Sequence, residues 1–230
     1  MRVLSVTHGP NVPGGVFDET VEAAGHSLER WEVPLGGTPQ PPTAYDAVMV
    51  FGGSMHPDQD DHFHWLASEA EFLVETLQRG VPALGVCLGA QMLARAAGAW
   101  VGPAPEPEVG WFEIELTPDG RDDPVLGNLP PTTHAFQWHH YTYAVPEGGT
   151  ELARSALCTQ AFRLGERAWG LQFHAELTLP MLESWVKEEV SELPVPPEDF
   201  LAEGEARIDA WNEQGRRLCA AFLEQATNAR

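Results

Sequence analysis

The chain has 230 residues, 43% of them hydrophobic and eight of them tryptophan, enough for one sizeable packed globule rather than a disordered chain. Its 34 acidic and 13 basic residues give a formal net charge of −21, a surface that repels phosphate backbones and anionic membranes and so disfavours nucleic-acid binding. No stretch approaches the ~18 uninterrupted apolar residues of a membrane span, and the apolar run in "MRVLSVTHGP" is too short for a signal peptide.

Residues 2–7, "RVLSVT", read as a first strand, 16–25 as a weak helix and 27–33, "SLERWEV", as a second strand. "PLGGTPQPPTAY" is a Gly/Pro-rich loop, and "AVMVFGG", 47–53, is a buried-type strand running into two glycines. Residues 64–79 place Trp65, Phe72, Leu73, Thr76 and Leu77 at helical spacing, and "RGVP" ends that helix. "PALGV" is a further strand and "LGAQMLARAAGA" an Ala-rich helix. This alternation predicts an α/β fold with a mostly parallel central sheet and helices on both faces. Beyond Trp100 come short β-type runs, "VGWFEIELT", "TTHAFQWHHYTYAV", "TELARS", "QAFRLG" and "RAWGLQF". Helices follow at 179–193 and about 198–225, joined by the Pro-rich "ELPVPPED". One domain over 1–230 is expected, with a β-rich second half and 181–230 as a C-terminal helical extension.

Cys87, Cys158 and Cys219 are odd in number and lack metal-type spacing, which fits free thiols in a reducing cytoplasm. Cys87 differs from the other two, because "GVCLG" sets it where a strand turns into a helix. Reactive groups of parallel sheets sit at such carboxyl ends. Small neighbours allow a tight turn, and the helix N-terminus favours a thiolate and an oxyanion. A thiol also needs a base, and the base needs an orienting group. "GLQFHAEL" supplies His174 and, two residues on, Glu176, which an extended backbone projects to the same side. Alone, a buried cysteine or a His-x-Glu pair is ordinary; together they form a nucleophile–base–orienter set.

"GVCLGAQ", followed downstream by "GLQFHAE" and preceded by "FGGS", resembles the class I, triad-type glutamine amidotransferase family, in particular its stand-alone, GMP-synthase-like members. The likeness implies a flavodoxin-like fold, no cofactor and no metal. It implies that Cys87, His174 and Glu176 hydrolyse a glutamine side-chain amide through a γ-glutamyl thioester. It places the oxyanion hole at the backbone N–H groups of Gly53 and Leu88. The substrate contacts it implies are Gly52, Ser54, Gln91 and, on "QWHHYTYAVP", Trp138, His139 and His140.

Two positions depart from the family. Ala175 stands where proline is usual between the histidine and the glutamate, and Tyr141 where close members often carry an acid. Loss of an acid that helps hold an amino group puts plain glutamine in question as substrate. No Walker-type or Gly-rich phosphate loop follows the glutaminase portion. Released ammonia would therefore pass to a separate synthase subunit. The alternatives are a stand-alone γ-glutamyl peptide or amide hydrolase and a catalytically silent regulatory subunit. The histidines of "HPDQDDHFH", 56–64, read as a solvated helix entry rather than a metal site.

Overall fold

In the computed structural model, which describes residues 1–228, the first hundred residues alternate strand and helix in the expected order. They form β1 (Arg2–Thr7), α1 (Gly15–Ala23), β2 (Ser27–Glu32), β3 (Ala47–Val50), α2 (Trp65–Gln78), β4 (Ala83–Val86) and α3 (Leu88–Ala96). Strands β3 and β4, "AVMV" and "ALGV", are buried along their whole length. A parallel strand covered on both faces must be apolar throughout. Alternate residues feed two cores: Ala47 and Met49 pack with α1, and Val48 and Val50 pack with α2 and α3. Helix α3 lies so close to the sheet that a β-carbon on Gly89 would collide with the Val50 carbonyl. Only glycine permits that approach.

The second half supplies β5 (Val101–Leu116), a five-residue helix α4 (Pro118–Asp122), β6 (Thr132–Tyr143), β7 (Gly149–Arg154), β8 (Thr159–Leu164) and β9 (Ala168–Leu171). Helices α5 (Leu179–Glu188) and α6 (Pro197–Asn228) close the described chain. Nine strands form one sheet in the order β2-β1-β3-β4-β9-β8-β7-β5-β6. The expectation of a mostly parallel sheet holds only for the β2-to-β9 half; from β9 outward every neighbouring pair is antiparallel. The reason is loop length. Short turns join β7, β8 and β9, and a parallel pair needs a crossover of a dozen or more residues.

Strand β5 begins well before the predicted "VGWFEIELT", inside "VGPAPEPE", where the prolines read as loop. Pro103 still pairs with Tyr141, and the register shifts between Pro103 and Glu108. Neighbouring β7 pairs with β5 only at Glu115 and Leu116, so these prolines face no second ladder and forfeit little by lacking an N–H. No helix among the described residues is long and apolar enough to cross a membrane.

Candidate active site

Strands β4 and β9 are parallel neighbours with Val86 opposite Leu171, so both chains leave the sheet at the same edge. That adjacency brings Cys87 and His174 together although they are far apart in sequence. The Cys87 N–H donates to the Leu171 carbonyl at 2.7 Å, and the residue then turns sharply at φ 52°, ψ −111° into α3. Among the described residues it is the one non-glycine with positive φ. Such strain costs on the order of 1–3 kcal/mol and persists where the surroundings impose it.

His174 Nδ1 donates to Glu176 Oε1 at 2.8 Å, and both side chains are almost fully buried. With Nδ1 on the carboxylate, Nε2 has no protein hydrogen-bond partner. Burial disfavours the charged imidazole, yet the facing Glu176 carboxylate and Cys87 sulfur outweigh it and raise the His174 pKa to about 10. The ring packs edge-on against Trp185, with centroids 4.9 Å apart.

The turn carrying His174 and Glu176 is braced from α6. Trp211 Nε1 donates to the His174 carbonyl at 2.8 Å. A β-carbon on Gly215 would collide with the Ala175 carbonyl, so the helix backbone lies directly against the turn. From the other side the Val16 N–H donates to the Glu176 carbonyl at 3.0 Å. Ala175 is fully buried under these contacts, which hold the turn without the family's proline.

Cys87 and His174 face a cavity of ≈ 380 Å³, whose wall also includes Gly53, Ser54, Leu88, Gln91, Trp138, His139, His140 and Tyr141. Most of the sequence-predicted site residues therefore share one cavity. Gly52 lies behind the wall, with its carbonyl turned to His8. Cys87 Sγ lies 3.8 Å from the Trp138 carbonyl. Gln91 Nε2 donates to the Tyr141 carbonyl at 2.9 Å and to Gln172 Oε1 at 3.2 Å, so it ties α3 to β6.

The Tyr141 ring stacks on His56 at 3.9 Å between centroids. Burial and the nearby Asp58 raise its phenol pKa, so the phenol stays neutral. Of the "HPDQDDHFH" histidines, His56 thus belongs to the cavity. Asp60 in the same segment anchors the loop to Arg95 at 2.5 Å.

Several wall residues carry no local sequence signal. His8 follows β1, Asn11 and Trp185 meet through a 2.6 Å bond from Trp185 Nε1 to the Asn11 carbonyl, and Glu188, Glu189 and Glu192 line the far side. Asn11 Nδ2 holds both Glu188 oxygens at 2.8 Å, and Trp138 Nε1 donates to Glu192 Oε2 at 2.7 Å.

Among the described residues one cluster could hold a metal by composition: Glu108, His139 and Cys158, whose ligand atoms lie within 4.8 Å of one another. Its donors are already engaged among themselves. His139 Nε2 lies 3.0 Å from Glu108 Oε2, which also accepts from Gln160 Nε2 at 2.7 Å, and His139 Nδ1 donates to the Tyr141 carbonyl at 3.0 Å. Cys158 Sγ lies 3.5 Å from the same Glu108 oxygen, so it belongs to this network and is not an incidental thiol. Burial, opposed by Thr142 and reinforced by Glu108, pushes its pKa up to about 11. Burial also pushes up the Cys219 thiol. Neither is poised as a nucleophile.

The family model described as glutamine amidotransferase class-I matches residues 21–190. Over its whole length the chain is 28% identical to the glutamine amidotransferase-like protein YfeJ of Salmonella typhimurium, covering 98% of that protein. It is 29% identical to one subunit of the glutamine-hydrolyzing GMP synthase of Ignicoccus hospitalis, over 77% of this chain and 89% of that one. Its match to the GMP synthase of Thermomicrobium roseum covers only 19% of that protein. The crystal structure of a glutamine amidotransferase from Thermotoga maritima superposes with a TM-score of 0.88 at 28% identity, covering 97% of this chain and 98% of that chain.

Proposed function

Because the chain belongs to the class-I glutamine amidotransferase family, we propose that it hydrolyses a glutamine or γ-glutamyl side-chain amide through a thioester on Cys87. One observation carries the proposal: a strained Cys87 at the mouth of α3 shares a cavity with a His174–Glu176 pair held at 2.8 Å. Cys87 gives its proton to His174 as Sγ attacks the amide carbon. The tetrahedral oxygen takes hydrogen bonds from the Gly53 and Leu88 N–H groups. His174 returns the proton to the departing nitrogen, the C–N bond breaks, and ammonia leaves a γ-glutamyl thioester. Water then attacks the thioester with His174 as base, the C–S bond breaks, and glutamate and the free thiol are restored. Glu176 stabilises the imidazolium in both halves.

The likeness to a single, separately encoded portion of a GMP synthase favours a distinct synthase protein to receive the ammonia. Ammonia release from glutamine, measured with and without cell extract, tests this. Release by the isolated chain supports a self-sufficient hydrolase, release only with extract supports a partner, and none in either case favours a silent regulatory protein.

Tyr141 bears on the substrate. It presents a neutral phenol, held by His56 and Asp58, where close family members often place an acid. Two of the carboxylates on the far wall are already engaged, Glu188 by Asn11 and Glu192 by Trp138. A lost charge-assisted contact to an ammonium typically weakens binding by ~1.5–3 kcal/mol, about one to two decades in affinity. The isolated chain is therefore expected to hydrolyse free glutamine weakly. It should do better with a partner, or with γ-glutamyl amides that have a blocked amine or a larger leaving group. Steady-state comparison of glutamine with such a panel, on wild type and Tyr141→Asp, checks this. Efficient glutaminase activity of the wild type, unimproved by Tyr141→Asp, would remove any role for Tyr141 in selecting substrate.

A further inference from the structure

His8, one residue past β1, is buried beside the cavity, and nothing in the triad chemistry uses it. Its Nδ1 lies 2.9 Å from the Gly52 carbonyl oxygen and its Nε2 3.0 Å from Glu69 Oε2 on α2. Both side chains of the His8–Glu69 pair are fully buried. A carbonyl and a carboxylate oxygen both accept, so both ring nitrogens donate and the ring is an imidazolium. Burial opposes that charge, but Glu69 and the Gly52 carbonyl outweigh it and raise the His8 pKa. Trp65 stacks on the ring at 5.5 Å and fixes its plane.

The peptide between Gly52 and Gly53 is trans, since the described residues contain no cis bond. In a trans peptide the carbonyl and the next N–H point in opposite directions. Holding the Gly52 carbonyl on His8 therefore turns the Gly53 N–H away from the His8 ring. On its other side Gly52 abuts the triad: a β-carbon there would sit 3.1 Å from His174 Cε1. The peptide is thus clamped between the two histidines. Hydrogen bonds in series polarise one another, so a cation on the carbonyl also strengthens the N–H as a donor.

We propose that the buried His8–Glu69 pair is a positioning device that aims and polarises the Gly53 N–H as an oxyanion donor. This rests on the reading of Cys87 as nucleophile given above. The pair acts through the backbone and touches no reacting atom, so it should serve the transition state rather than ground-state binding.

The test uses two double variants. His8→Leu with Glu69→Met removes donor and acceptor together, since a buried ion pair exchanged for apolar residues usually leaves a fold intact. His8→Asn with Glu69→Gln is neutral but returns an amide N–H near the Gly52 carbonyl. Loss of a well-placed oxyanion donor costs about a hundredfold or more in turnover. Misaiming one should cost about ten- to a hundredfold in kcat, with glutamate affinity by calorimetry within about twofold of wild type. The Asn/Gln variant should recover about tenfold over the Leu/Met variant. Unchanged kcat in Leu/Met, equal losses in kcat and glutamate affinity, or no recovery in Asn/Gln would each overturn the proposal. A wild type that releases no ammonia and forms no Cys87 adduct instead defeats the reading of the site.

Discussion

Replacing Cys87 with glycine is expected to abolish amide hydrolysis while leaving the protein at least as stable as wild type. Removal of the attacking atom in a nucleophile–base unit costs about four or more orders of magnitude in turnover. The stability half follows from the backbone. Cys87 sits at φ 52°, a region open to glycine without a β-carbon penalty. Relief of that strain returns on the order of 1–3 kcal/mol, against roughly 0.5–1 kcal/mol for the added freedom of glycine in the unfolded chain. Thermal melts beside a steady-state assay decide it. A melting temperature several degrees below wild type would show that the elbow stores no strain. Measurable turnover would show that Cys87 is not the nucleophile.

The second large effect is expected from Glu176→Gln, which keeps the shape of the side chain and removes its charge. Turnover should drop about a hundred- to ten-thousandfold with little change in substrate affinity, because the imidazolium loses its stabilising carboxylate. The pH profile should move as well. In the wild type, Glu176 and Cys87 outweigh burial and hold His174 protonated until the pH rises toward about 10. Without the carboxylate charge, burial is opposed by Cys87 alone and the His174 pKa falls. The alkaline limb of the rate profile must therefore shift to lower pH. A limb that stays in place, or an unchanged turnover number, would mean that Glu176 does not orient the base.

What could be read in the chain was local. "GVCLG" announces the elbow because the strand end, the small flanks and the helix start are adjacent, and "FHAE" announces the relay because two residues suffice. The parallel half was legible from the alternation of apolar runs with helical spacing. The antiparallel half gave its runs but not its pairing, and it is the insertion of β9 beside β4 that brings His174 to Cys87. The start of β5 was hidden because Pro103, Pro105 and Pro107 argue for a loop. They are tolerated only because one of the strand's edges is unpaired there.

The His8–Glu69 pair was invisible for another reason. Its members lie in separate elements, and a lone histidine and a helical glutamate carry no motif until the fold joins them across the Gly52 carbonyl. The bracing of Ala175 by α6 is of the same kind. Gly215 and Trp211 read as ordinary helix and core positions, and their purpose emerges only against the His174–Glu176 turn.

The central claim, a thioester-forming Cys87, is tested most directly by covalent labelling with a glutamine-analogue diazo-ketone followed by peptide mass spectrometry. Cys158 and Cys219 serve as internal controls, since burial pushes both thiols up and keeps them unreactive at neutral pH. The account predicts one adduct per chain, on Cys87, formed faster in the wild type than in Glu176→Gln. A label found mainly on Cys158 or Cys219 would contradict it.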